Sequence, residues 1–255
     1  MIHLTYATDL SDARRTVFDA AAARWNEVLI TDFPEVDLNG TPETGVLIEV
    51  SVTDIDGPEG VLGQAGPTHL RPDTRLPARG VMEFDAADLE RLELQGSFQD
   101  VILHEMAHVL GFGTLWGMFG LIAGSGTMNP EFTGPRAIGE YRALVGSDAA
   151  IGVPIANTGG PGTREGHWRE LVFGDELLTG FLSGTDRPLS RLSLAAFEDL
   201  GYGVDYARAD TYALPDFRDL AIMGITEAVR ICDLCRMLRP EPVILYERRG
   251  APGYR

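Results

Sequence analysis

The sequence predicts a mixed α/β chain of the α+β kind, with a twisted sheet, two long helices and an irregular second half. Three observations carry that expectation. Short β-branched runs alternate with helical periodicity over residues 1–115. The stretch VILHEMAHVLGFGTLW, Val101 to Trp116, is apolar along one side of a helix and polar along the other. From Gly117 onward Gly, Pro, Ser and Asn punctuate the chain and regular segments become sparse.

Taken in order, Ile2 to Ala7 reads as a strand and Ser11 to Ile30 as an amphipathic helix. Val17, Ala21, Trp25 and Leu29 form its expected buried face, and Pro34 helps to end it. Gly45 to Val52 (GVLIEVSV) is a second strand. Val52 to Pro67 reads as loop with a short strand at Val61–Gln64. Asp54 and Asp56 in that loop have the chemistry to touch a cation, but acidic loop residues are most simply solvated. His69, in THLRPDTRLPARG, is expected in a surface loop. Gly80 to Phe84 is a further strand, and a short helix follows around Ala86–Leu94.

The next helix is the informative one. Counting about 100° per residue, Phe98, Val109, Ile102, Met106, Leu110 and Leu103 fill an arc of roughly 140°, while His104, His108 and Glu105 lie opposite. Such a helix embeds one stripe in the core and faces a cleft with the other. Ser97 suits the N-cap, and Gly111 and Gly113 stop the helix just past the second histidine. A helical segment near Pro135–Leu144 interrupts the irregular second half. A Gly-rich run, TGGPGTREG, leads into His167, and Ser190 to Leu200 reads as a helix capped by Gly201. The expected organisation is a lobe over 1–115, a second lobe over 116–215 and a tail over 216–255. Within the tail, Thr226–Leu238 has helical periodicity ended by Pro240 and is expected to pack outside the second lobe.

Composition narrows the function. The chain has 255 residues, 44% hydrophobic and 23% charged, ordinary for a globular protein with a sizeable core. Its formal net charge of −17 argues against nucleic acid and anionic membranes, both of which need Lys/Arg-rich surfaces. All 21 basic residues are Arg, which reads as coding bias rather than function. Two cysteines, Cys232 and Cys235, exclude a disulfide-stapled scaffold. Their C-x-x-C spacing invites a metal or redox reading, but no second Cys pair exists and they fall mid-helix, so they read as small apolar residues. Thiolates that reach and silence a metal site elsewhere in the chain are a further alternative, with nothing in the sequence to position them for it. No apolar run is long enough to span a membrane. MIHLTYATDL lacks a signal-peptide pattern, so the chain is expected to be cytoplasmic, or secreted with its leader removed.

His104, Glu105 and His108 form H-E-x-x-H. Two imidazoles one helical turn apart can hold a single Zn²⁺, and the Glu beside the first can reach a water on it. This composition yields only about 0.007 such matches per shuffled chain. Buried histidines that merely satisfy local hydrogen bonds are the plain alternative. A catalytic zinc needs a third ligand. In the thermolysin-like pattern that is a Glu within E-x-x-x-D, but Glu131 and Glu140 are followed four positions on by Pro135 and Leu144. In the metzincin pattern Gly111 matches, yet the short-spaced third His falls on Thr114.

HEMAHVLGFG is followed, 59 residues after His108, by GHWREL. With HWRELVFGDELLTG and LSRLSLAAFEDLGYGVDY, this resembles the leishmanolysin family of metzincins, where an insertion separates the glycine from the third His. The resemblance covers roughly residues 2–215 and implies a metzincin-like zincin fold. It also implies one catalytic Zn²⁺ on His104, His108 and His167, with Glu105 as general base. The implied activity is that of an endopeptidase acting on peptide or protein substrates. Two departures stand out. The family's methionine beneath the zinc is Leu178 here, a swap of similar volume, and the disulfides of eukaryotic members are absent. Asp216 to Arg255 has no counterpart. In metzincins an exposed strand above the cleft pairs with substrate, and Gly80–Phe84 resembles that strand, an ordinary core strand being the alternative. A catalytically silent binding module and a zinc hydrolase of a non-peptide bond remain as alternative functions. Substrate preference, oligomeric state and biological role are not legible.

Overall fold

The computed structural model describes residues 2–38, 40–55, 57, 61–160, 162–181, 186–216, 235–237 and 242–245. In chain order its first half comprises β1 (Ile2–Tyr6), α1 (Asp12–Val28), β2 (Val36–Leu38), β3 (Thr41–Glu43), β4 (Val46–Thr53), β5 (Gly63–Leu70), β6 (Pro77–Asp85), α2 (Ala86–Gln95) and α3 (Phe98–Val109). The second half has β7 (Ile122–Ala123), β8 (Glu131–Phe132), α4 (Pro135–Val145), β9 (Val153–Pro154), α5 (Glu170–Phe173) and α6 (Arg191–Leu200). Two further strands, β10 (Cys235–Met237) and β11 (Val243–Ile244), belong to the tail. The fold is mixed α+β with a mixed sheet, as expected.

The main sheet runs β1-β4-β6-β5. β1, β4 and β6 are parallel, and β5 is antiparallel to β6. In β4 the residues Val46, Ile48 and Val50 are buried while Leu47, Glu49 and Ser51 are half-exposed, the period of two of a strand with one face in the core. α1 begins at the Ser11 cap, whose hydroxyl accepts from the Arg14 amide at 3.3 Å. Its fully buried residues are Phe18, Ala21, Ala22, Trp25 and Val28, whereas Val17 and Leu29 are only half-buried. A strict four-residue spacing drifts about 40° per step, and steps of three and four keep the stripe on the core.

Several expectations are corrected here. β5 is eight residues long and includes His69, which lies half-buried beside Thr68 (Nδ1 to Oγ1 3.0 Å) rather than in a surface loop. Burial, then the nearby Arg79 charge, holds the His69 imidazole below its ordinary range. Gly63, Gly66 and Pro67 make β5 look like loop, yet at Gly63 the missing side chain is a packing requirement: a Cβ there would lie 3.2 Å from Cγ of Glu105. β6 cannot be an exposed substrate strand, because it is bonded to β4 on one side and β5 on the other. The strand antiparallel to β6 is β5, whose other edge is paired by β10 and β11.

The tail also differs from expectation. Residues 226–234 and 238 of the expected helix lie outside the described residues, and Cys235–Met237 is a strand, not part of a helix. β10 and β11 both pair parallel with β5, Cys235 opposite Gly63 and Val243 opposite His69, so this part of the tail extends the main sheet rather than coating the second lobe. Asp54 is exposed, and Asp56 lies outside the described residues. Among the described residues no helix is long and apolar enough to cross a membrane.

The irregular half contains a small antiparallel sheet, β7-β8-β9, that the sequence did not announce. α4 begins without a side-chain cap of its own; Asp199 on α6 accepts from the Arg136 and Ala137 amides, each at 2.9 Å, and joins the two helices. α6 is capped by the Ser190 hydroxyl and ends at Gly201. One hydrophobic core runs through both halves, from Ile2 to Tyr202. Its aromatic spine includes Trp25 against Phe197 (5.0 Å between centroids) and Phe112 against Trp116 (4.5 Å) and Trp168 (5.2 Å).

Candidate metal centre

α3 crosses the sheet against β5 and β6 and packs on α1, whose Trp25 Nε1–H donates to the Leu103 carbonyl at 3.0 Å. Ser97 holds the N-cap position without a side-chain bond to the helix. Every residue from Val101 to Val109 is buried, including His104, Glu105 and His108. The polar stripe faces the second half of the chain, which brings the Leu177 carbonyl and His167 onto the histidines.

The helix ends as its glycines demand. Gly111 and Gly113 have φ of 109° and 70°. Gly113 is indispensable for a second reason: a Cβ there would stand 2.1 Å from the carbonyl oxygen of Gly166. Backbone contact at that point delivers His167 beside the end of α3. Thr114, where a short-spaced ligand would fall, donates its hydroxyl to the His108 carbonyl at 2.7 Å and closes the helix terminus.

His167 is held by a small ladder. The Ala156 amide donates to its carbonyl (2.9 Å), and the amide of Trp168 donates to Leu178 (3.0 Å). The three imidazoles then meet: each pair of Nε2 atoms is 3.0 Å apart, and all three residues are fully buried. The His104 and His167 rings are nearly parallel (16°), while His108 stands at 76° and 77° to them.

Their outer nitrogens settle the tautomers. Nδ1 of His104 donates to the Leu177 carbonyl (2.8 Å), that of His108 to Phe112 (2.9 Å) and that of His167 to Thr163 (2.8 Å). A neutral imidazole protonated on Nδ1 presents a lone pair from Nε2. Three converging lone pairs repel one another until a cation lies among them. Burial, then the neighbouring His167, holds the His104 imidazole well below the usual histidine range, so a proton is a poor occupant. Three ligands of a tetrahedral ion with 2.0–2.1 Å bonds stand about 3.3 Å apart, close to the 3.0 Å found. The donor set therefore fits zinc, and these three histidines could hold a metal ion.

Glu105 lies beside this triad, fully buried against the start of β5. Leu178 is fully buried, in the turn whose Leu177 carbonyl meets His104. Three features went unread in the sequence. The orienting carbonyls belong to the backbone and leave no mark on residue type. Arg187, with its side chain 2% exposed, has Nε 4.0 Å from the carboxylate of Asp100 on α3. Burial pushes the Asp100 carboxyl up, and Arg187 pulls it back. Glu176 is buried completely within DELL, an acid in an apolar run that was the one available hint.

Comparison with known proteins agrees with this geometry. The family described as leishmanolysin matches residues 35–217. A leishmanolysin homolog of Crithidia fasciculata is 34% identical over 144 residues, 53% of this chain and 21% of that protein. The leishmanolysin of Leishmania chagasi is 30% identical over 167 residues, 62% of this chain and 27% of that protein. A leishmanolysin-like peptidase of Drosophila pseudoobscura pseudoobscura is 28% identical over 121 residues, 43% of this chain and 17% of that protein. The chain thus spans about a quarter or less of the length of these relatives. The family match covers well over half of the chain and contains all three histidines, so the chain belongs to the leishmanolysin family, whose members are zinc-dependent.

Proposed function

We propose that the chain is a zinc-dependent endopeptidase, with His104, His108 and His167 as the metal ligands and Glu105 as the general base. The observation that carries this is the buried triangle of Nε2 atoms, each ring turned inward by a carbonyl behind it. A zinc ion bound there supplies Lewis acidity toward the scissile carbonyl and makes a water acidic enough to attack near neutral pH. Glu105 would accept the proton of the attacking water at its carboxylate and hand it to the leaving amine. Its burial against Gly63 keeps the carboxylate out of bulk solvent and beside the three imidazoles. The three carbonyls keep the imidazoles neutral and aimed inward. Residues 1–115 and 116–215 act as the two lobes around this centre.

An extended peptide would pair with the outer edge of β5, the strand whose Gly63 lies against Glu105. β10 and β11 occupy that edge, so a substrate would take it from them. The family's surface or secreted location supports a site of action outside the cell. Digestion of casein or gelatin, followed with and without a chelator, tests the activity. The expected result is proteolysis that the chelator abolishes and added zinc restores, with about one zinc per chain by atomic absorption. Proteolysis that is indifferent to the chelator, or metal bound with no peptide cleaved, would overturn the reading.

A further inference from the structure

We infer that Glu176 is a positioning residue for the metal centre, its buried carboxylate folding the 174–180 turn so that the Leu177 carbonyl holds the His104 ring. The inference rests on the zinc reading above.

The three orienting carbonyls are not held alike. Phe112 follows His108 in the terminal turn of the same helix, and Thr163 precedes His167 by four residues within a local turn closed on Gly160. Leu177 is 73 residues from His104, in a segment with no helix or strand of its own to set its direction. That is where the buried acid stands. One oxygen of Glu176 accepts from the Leu178 amide at 2.7 Å; the other accepts from the Ser190 amide (3.2 Å), the Ser190 hydroxyl (2.6 Å) and the Ser193 hydroxyl. The Leu177 amide is fixed to the Pro188 carbonyl at 3.1 Å. The turn is thereby pinned immediately before and after its orienting carbonyl.

The same carboxylate reaches the other side of the centre. Trp168 Nε1–H donates to the Ser193 hydroxyl at 2.8 Å, and that hydroxyl donates to Glu176. Trp168 directly follows His167, and its amide donates to Leu178. One acid therefore ties the carbonyl behind His104 to the residue beside His167. Burying a carboxylate costs stability unless donors surround it. Burial pushes the Glu176 carboxyl up, and its four donors draw it back down. A turn needing only shape would be served by an apolar side chain; four converging donors require an acceptor with both oxygens available.

Glu176→Gln in the full chain separates the roles, because an amide must present its NH₂ to at least one of the four donors. Far-UV circular dichroism should be retained. Zinc affinity, measured by chelator competition, should fall about 10–100-fold, the usual cost of losing support behind a ligand. The cobalt(II)-substituted protein, saturated with metal, should show shifted absorption bands. Asp199→Asn, which loosens the α4 cap, should lower Tm while leaving zinc affinity and cobalt spectrum unchanged. A Glu176→Gln protein with unaltered affinity and spectrum, changed only in Tm, would overturn the inference. Should Glu176→Gln fail to fold, Ser193→Ala removes a single donor. A several-fold weaker zinc affinity then supports the inference, and an unchanged one overturns it. A wild-type chain that binds no zinc would overturn the zinc reading and this inference together, whereas normal wild-type binding with unmoved variants overturns this inference alone.

Discussion

The two sides of the metal triad are built in opposite ways. His104 and His108 stand one turn apart on α3, so their relative direction follows from helix geometry before any tertiary contact forms. His167 comes from an irregular Gly-rich segment and points inward only because Ala156, Thr163 and Leu178 hold its neighbourhood. One side is a local property of twelve helical residues; the other exists only once both halves of the chain have packed. The pair on the helix sets the bite of the site, and the distant histidine closes it.

Removing an imidazole from either side should have the largest effect. After dialysis, His104→Ala and His167→Ala should each fall from about one zinc per chain to near none and lose proteolysis. Full zinc retention in the His167 variant would show that the helix pair alone makes the site. Next comes Glu105→Ala, which should keep its zinc and fold but lose 10²–10⁴-fold in kcat; parent-like digestion would remove Glu105 from its role. In the turn beneath the triad, Leu178→Asp should cost several kcal/mol by placing a charge in an apolar site, whereas Leu178→Met should cost less than about 1.5 kcal/mol. Denaturant titration of both variants measures the contrast, and equal midpoints would contradict the burial of Leu178.

The backbone offers a finer contrast. Gly113→Ala should lower Tm by several degrees, since its φ is 70° and a Cβ would strike Gly166. Gly139→Ala, in open space on exposed α4, should raise stability by about 0.5–1 kcal/mol. At the small end, His69→Ala and the double variant Cys232→Ser/Cys235→Ser should leave zinc stoichiometry and proteolysis as they were. A clear rise in activity in the cysteine variant would instead assign those residues an inhibitory role.

These contrasts also explain what was legible beforehand. α3 could be read because metal chelation and helix periodicity both leave marks at fixed spacing. His167 carried no local periodicity and emerged only from likeness to a family with an insertion. β5 looks shorter in the sequence because Gly63, Gly66 and Pro67 are poor strand residues; its identity depends on pairing with β6 and on the Glu105 contact. The helical spacing of Ile225, Val229, Cys232 and Cys235 misled at its end, where pairing with β5 makes Cys235–Met237 a strand. The Leu177 carbonyl was illegible in principle, since any residue could supply it.

The contact between Gly113 and Gly166 has a consequence for how the chain can vary. The chain between those two glycines begins and ends at one point, and in between it packs into the core through Trp116, Phe132 and Ile155. Lengthening such a loop adds only about 0.6 kcal/mol of closure entropy per doubling. The metal centre is therefore insulated from the length of exposed turns such as 146–149, while Ala156 and Thr163, which hold His167, are fixed in place.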